Sequence, residues 1–146
     1  MQFDDIIAKY RSEAYSERDK GARFEELMVR YFMTDPTYAS QLDWVKSWMN
    51  FPGRKDLGGR DTGIDLVAKS KIGEYWAIQC KCYAKDHRVS KEDMDTFIAT
   101  SGRRFRDEDG KEQVFSLRVI VATTDNWGEN AIEVTGDQSI PVTIIS

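Results

Sequence analysis

Apolar residues recur at intervals of three and four along the first third of the chain. Phe3, Ile6, Ile7 and Tyr10 fall on one face of a helix, and Phe24, Leu27, Met28, Tyr31 and Phe32 repeat that spacing more strongly. The pattern predicts a first amphipathic helix, a polar stretch over 11–20, and a second helix from about Gly21 to Met33. That helix should stop before Asp35-Pro36, because proline biases its predecessor away from helical backbone. Leu42, Val45 and Met49 keep helical intervals with Trp44 and Trp48 beside them, and predict a third short helix closed by Pro52-Gly53. The polar, glycine-rich run 54–63 reads as a loop.

From residue 64 the period changes. Ile64–Lys69 reads as a strand, Lys71-Ile72-Gly73 as a turn, and Tyr75–Tyr83 as a second strand, so the two form a hairpin. Ser90, with Asp93 three residues on, reads as a helix cap, followed by the stripe Met94, Phe97, Ile98 and a stop at Gly102. The run 103–113 reads as a charged loop, and the β-branched run Leu117–Thr124 as a buried central strand. Ala131, Ile132 and Val134 predict a short helix ended by Gly136, and Val142–Ile145 a last strand entered through Pro141. The expected fold is α/β: a mixed central sheet flanked by helices, with an extra helical segment at the N-terminus. One domain is expected over 1–146, mainly helical over 1–60, with an α/β core carrying the chemistry over 61–146.

Composition supports a real core: 40% of the 146 residues are hydrophobic and 12% aromatic. No apolar run is long enough to span a membrane, and Met1-Gln2-Phe3-Asp4-Asp5 lacks the basic and apolar regions of a signal peptide, so a cytoplasmic protein is expected. The net charge of −4 argues against an autonomous nucleic-acid binder, which needs Lys and Arg to replace the counterions of phosphate. It is compatible with a site whose carboxylates hold metal, with the nucleic acid delivered by something else. Cys80 and Cys82 flank Lys81 and, with His87 the one histidine, are too few for a structural zinc site. Buried thiols in a reducing compartment are the expectation for them.

The candidate chemistry lies on the hairpin. Side chains alternate along a strand, so Gln79 and Lys81 share a face with the small Ala77, opposite Cys80. Asp65, on the first strand, can meet them at the hairpin's open end. One carboxylate and one amide oxygen suit magnesium, which takes hard oxygen ligands, and the backbone carbonyl of Cys80 can add a third. A cation there would polarise a phosphodiester and acidify a bound water, and Lys81 would orient that water or offset charge on the phosphate. By spacing alone Asp…Gln-x-Lys is a loose pattern, and a solvated strand end with an Asp–Lys pair is the favoured reading. Two features favour a site: Gln79 interrupts the largely apolar Trp76-Ala77-Ile78-Gln79-Cys80, and Gly63 beside Asp65 would let backbone approach a ligand closely. Glu25 lies at the edge of the second helix's apolar stripe, where it either reaches over the sheet or has no role. Glu26 points to water.

Asp61-Thr62-Gly63-Ile64-Asp65-Leu66-Val67-Ala68, followed by Ala77-Ile78-Gln79-Cys80-Lys81-Cys82-Tyr83, resembles the Mrr-like branch of the PD-(D/E)xK nucleases. It looks closest to the nuclease domains that open single-polypeptide Type I (Type ISP) restriction enzymes. Gly21-Ala22-Arg23-Phe24-Glu25 resembles that family's first core helix, with Glu25 on its acidic position, and Thr123-Thr124 at a strand end also fits. Gln79 stands where most of the superfamily has a second acid, as is normal in this branch. The resemblance implies a restriction-endonuclease-like core and magnesium-dependent cleavage of double-stranded DNA, with manganese substituting. It also implies a helicase-like motor, a methyltransferase and a target-recognition domain on the same full-length chain. A chain that stops at Ser146, directly after the last strand, fits a domain boundary.

Arg103, Arg104 and Arg106, and Lys85, His87, Arg88 and Lys91, form two basic clusters near these residues in sequence and are candidates for phosphate contact; both are equally read as solvated loops. Trp44 and Trp48 can stack on bases, although their spacing favours the core. Two rival classes stay open: a non-catalytic DNA-binding or docking module of the same fold, and a stand-alone structure-specific nuclease.

Overall fold

A computed structural model describes residues 3–12, 17–58, 62–81, 90–123 and 140–145. The elements are α1 (Phe3–Ser12), α2 (Glu17–Thr34), α3 (Pro36–Ala39), β1 (Leu42–Ser47), β2 (Leu66–Ser70) and β3 (Tyr75–Lys81). They continue with α4 (Glu92–Ser101), β4 (Phe105–Arg106), β5 (Glu112–Gln113), β6 (Phe115–Ala122) and β7 (Val142–Ile145). Five strands form one mixed sheet in the order β1-β2-β3-β6-β7. β1, β2 and β3 pair antiparallel, whereas β3–β6 and β6–β7 are parallel.

Alternation along the strands splits the core in two. On one face Leu66, Ala68, Trp76, Ile78, Val119 and Val121 pack against the stripes of α1 and α2, including Ile6, Tyr10, Phe24, Met28 and Phe32. On the other, Val67, Tyr75, Ala77 and Ile120 meet Met94 and Phe97 of α4 together with Trp48, Phe51, Phe105 and Phe115. Helices thus cover both faces, as the parallel strand pairs require.

The third helix expected around Leu42 and Val45 is instead β1, the edge strand beside β2. The reason is a bulge: Leu42 pairs with Ser70 but Trp44 with Lys69, so Asp43 is an extra residue. The bulge shifts the alternation by one. Leu42 and Val45, three apart, therefore both reach the α1–α2 face, while Trp44 reaches the other. A strand with a bulge imitates helical spacing. Sheet residues also occur before position 61, so the α/β core is not confined to 61–146.

α2 begins at Glu17 rather than about Gly21. The run 54–63 is partly a 3-10 helix, Pro52–Leu57, closed by Gly58 at φ 98° with Leu57 buried. The residue capping α4 is Lys91, not Ser90, and its side chain makes no cap hydrogen bond. The charged run 103–113 holds the short β4–β5 hairpin, because Phe105 is drawn into the ring cluster of Phe51, Tyr75 and Phe115. Tyr83 and the helix expected over 131–134 lie outside the described residues.

Arg118 is buried within the apolar run of β6. Its Nε donates to Ser101 Oγ at 2.6 Å and its Nη2 to the Ile98 carbonyl at 2.9 Å. The guanidinium thereby supplies donors to the last turn of α4 and ties that helix to the sheet.

Candidate active site

The sheet's pairing places Asp65. The β2–β3 ladder ends at the pair Leu66–Ile78, one residue after Asp65. The Asp65 N–H donates to the Ile78 carbonyl at 2.9 Å, and the Trp48 N–H donates to the Asp65 carbonyl at 2.9 Å. The side chain is fixed too: the Cys80 N–H donates to Asp65 Oδ2 at 2.7 Å. N–H and C=O of one strand residue point to the same edge, so the Cys80 carbonyl also faces the Asp65 side. The Thr123 N–H donates to the Lys81 carbonyl at 3.1 Å, which shows odd-numbered positions turned toward β6.

Beyond the end of that ladder the sheet opens into a cleft of about 560 Å³, lined by Asp65, Gln79 and Lys81. Helices contribute from both faces of the sheet, Glu25 from α2 and Glu92 and Thr96 from α4, and Trp48 and Met49 form another wall. The hairpin's open end therefore brings together the four residues singled out from sequence. Glu25 is half-buried and turned to the cleft, whereas Glu26 is exposed, as the helical wheel requires. Glu92 and Thr96 were not anticipated. Their i, i+4 spacing beside the stripe Met94, Phe97 was the available signal, but nothing local says what that face meets.

Electrostatically the cleft is crowded with negative charge. Burial pushes the Asp65 carboxyl up from 3.8 to about 6, against the lowering effects of the Cys80 N–H and the Lys81 charge. Burial and then repulsion from Asp65 raise Glu25 from 4.5 to about 7. The Cys80 thiol, partly buried against the α1–α2 core, is pushed well above its ordinary value by burial, then by Asp65 and Glu25. It is an inert thiol rather than a nucleophile.

Among the described residues, three carboxylates and one ammonium, that of Lys81, line the cleft. A divalent cation would relieve the repulsion that raises Glu25. The donors on hand suit magnesium, which is held by one or two carboxylates with other oxygens and water. Among the described residues no three His, Cys, Asp or Glu side chains are grouped so as to hold a metal ion by themselves.

Gly63 lines the cleft and has a second close neighbour that its sequence position did not announce. It sits at φ 76°, and a Cβ there would lie 2.9 Å from the Phe97 backbone nitrogen, so its backbone also approaches α4 closely. Arg103 and Arg104 follow the C-terminal end of α4, while the cleft is lined from its first half. Arg103 donates to the Asp56 carbonyl at 3.4 Å and Arg104 pairs with Glu112 at 3.1 Å, both away from the cleft. Trp48 is buried and Trp44 packs against the core. Asp61, Cys82, Lys85, His87, Arg88 and Thr124 lie outside the described residues.

A family model described as restriction endonuclease, of Mrr type, matches residues 33–146. The chain belongs to this restriction endonuclease family. Two solved structures of restriction enzymes are similar to it. One is the ATP-dependent Type ISP restriction-modification enzyme LlaBIII bound to DNA, with 28% identity and a TM-score of 0.70 over 99% of this chain. The other is the MspJI restriction endonuclease in complex with a 27-mer oligonucleotide, with 19% identity and a TM-score of 0.57 over 97% of this chain, a likeness of fold. This chain spans 8% of the LlaBIII chain and 28% of the MspJI chain. No curated protein matches it. The likeness to LlaBIII extends through α1 and the part of α2 before residue 33, including Glu25, which precede the family match. Among the described residues no helix is long and apolar enough to cross a membrane.

Proposed function

We propose that this restriction-endonuclease-family domain hydrolyses phosphodiester bonds of duplex DNA with the help of magnesium, for which manganese substitutes. The observation that carries the reading is the convergence of Asp65, Gln79, Lys81 and Glu25 on one cleft. Asp65, Gln79 and the Cys80 carbonyl would hold the cation, which when bound polarises the phosphate and lowers the pKa of a water.

The remaining steps fall to the chain's own groups. The Cys80 N–H fixes the rotamer of Asp65, so that carboxylate is oriented before any ligand arrives. Lys81, whose ammonium lines the cleft, orients the attacking water and offsets the charge developing on the phosphate. Glu25, raised to about 7, takes up a proton near neutral pH or joins the cation's ligands once ionised.

A net charge of −4 gives little counterion-release affinity for DNA. The domain therefore works as one part of a longer restriction-modification enzyme. A helicase-like motor, a methyltransferase and a target-recognition domain on that chain deliver the DNA. The likeness to 8% of a Type ISP enzyme supports this. A tether would raise the local DNA concentration to roughly millimolar. The test is cleavage of a long duplex by this chain with magnesium, with chelator, and as Asp65→Ala. Equal cleavage in all three sinks the reading.

A further inference from the structure

The 3-10 segments after β1 build a second groove next to the cleft. It has a volume of about 550 Å³ and is lined by Met49, Phe51, Pro52, Arg54 and Lys55 among others. Met49 lines both depressions, so they adjoin at that residue. Its side chain is 65% exposed although the chain buries most of its other large apolar residues.

The charges of the two depressions are opposite. Among the described residues the cleft carries three carboxylates and one lysine, whereas the groove carries Arg54 and Lys55 and no acid. Neither cation forms an ion pair among the described residues. The neighbouring Asp56 is committed elsewhere: its Oδ2 accepts the Arg106 N–H at 2.8 Å, and its carbonyl accepts from Arg103. The segment is also rigid by construction, with Phe51 and Leu57 buried and Gly53 packed so closely on the Phe51 and Phe105 rings that a Cβ would lie 2.6 Å from the first.

We infer that this groove is the track for the DNA backbone flanking the scissile phosphate, with Arg54 and Lys55 on phosphates and Met49 against the sugar and base face of the nucleotide between. The inference rests on the nuclease reading above and adds a binding surface to it. Phosphates beside the cut must be neutralised by something, and the acidic cleft cannot do it. Two cations that form no ion pair among the described residues, on a stiff wall adjoining the cleft, match that need. An exposed methionine at the junction fits the apolar side contacts that proteins make to nucleotides.

The test uses a short labelled duplex, with binding followed by anisotropy at several salt concentrations in chelator, and cleavage followed with magnesium. The double variant Arg54→Gln, Lys55→Gln should weaken binding at least about tenfold at ~0.1 M salt and flatten the log–log salt slope by about 2. Its KM for DNA should rise while kcat holds. Met49→Ala should weaken binding severalfold without changing the salt slope, since an apolar contact releases no counterions. Lys71→Gln, on the turn at the far end of β2, should change neither. Unchanged affinity and slope in the double variant, or no duplex binding by the unaltered chain even at low salt, overturns the inference. Loss of cleavage in Asp65→Ala alongside an unaffected double variant would reject the groove and leave the nuclease reading standing. Normal cleavage by Asp65→Ala would reject the nuclease reading whatever the groove variants do.

Discussion

The backbone N–H of Cys80 and Oδ2 of Asp65 are 2.7 Å apart, a bond across fifteen residues that continues the β2–β3 pairing after the backbone ladder has stopped. A side chain here takes the place of a strand. It satisfies the amide at the end of β3 and holds the carboxylate at the mouth of the cleft.

Asp65→Asn and Asp65→Ala should therefore separate chemistry from stability. Both remove the anionic ligand and should abolish cleavage. Asn keeps an acceptor for the Cys80 N–H and removes a charge that burial disfavours, so above about pH 6 it should melt at or above the parent. Ala leaves that donor without its acceptor and should be less stable than Asn by about 1–3 kcal/mol. Thermal melting beside a cleavage assay reads both, and full cleavage by folded Asp65→Asn would refute the role of the carboxylate.

The pH dependence follows from two carboxyls that hold protons more tightly folded than unfolded, Asp65 at about 6 rather than 3.8 and Glu25 at about 7 rather than 4.5. Their contribution favours the fold at low pH and is lost as pH rises from about 4 through 7. Without metal, stability should fall across that window, and magnesium should restore it. Glu25 is partly open to solvent, so Glu25→Gln should recover only about 1 kcal/mol at ~pH 8 after allowing for screening. Metal affinity should rise with pH through 6 to 7. Calorimetric titrations giving a flat affinity between about pH 5.5 and 8 would contradict this.

Glu25 and Glu26 are adjacent but face differently, one into the cleft and one to water. Glu25→Gln should reduce cleavage at least about tenfold, since positioned acid–base groups contribute that much or more. Glu26→Gln should change it less than twofold, within about the noise of a rate assay. Equal losses would place the helix in the wrong register.

Lys81→Ala should abolish cleavage while leaving magnesium binding intact, because an ammonium is no ligand. Removing that charge should also raise the Asp65 carboxyl further, since Lys81 holds it down. Calorimetry at about pH 8, where Asp65 stays ionised, isolates the effect. Retained cleavage with lost metal binding would invert the assigned roles.

Gly63→Ala should destabilise the chain by about 2 kcal/mol or more, because it combines a positive φ with a Cβ pressed on the Phe97 backbone. Urea denaturation measures it. A neutral substitution would show that α4 can move away from the cleft.

The spacing of apolar and polar residues sets the periods of the elements, and with them the faces. Gln79 and Lys81 had to lie opposite Cys80, and Glu25 had to point where Glu26 does not, because both follow from backbone geometry within one element. The α/β class and the mixed sheet followed from the succession of those periods, and the family resemblance from the residues around Asp65 and Lys81.

What required the tertiary structure were relations between elements distant in sequence. A bulge at Asp43 made β1 look helical, and only its pairing with β2 reveals a strand. Gly63 reads the same whether its neighbour is a ligand or the backbone of α4. Arg118 inside a β-branched run gives no hint of the helix end it ties down. Glu92 and Thr96 enter the cleft, and Arg103 and Arg104 leave it, because of where α4 lies across the sheet. Local spacing fixes which way a side chain faces; what it faces is set by strand order and packing between segments far apart in the chain.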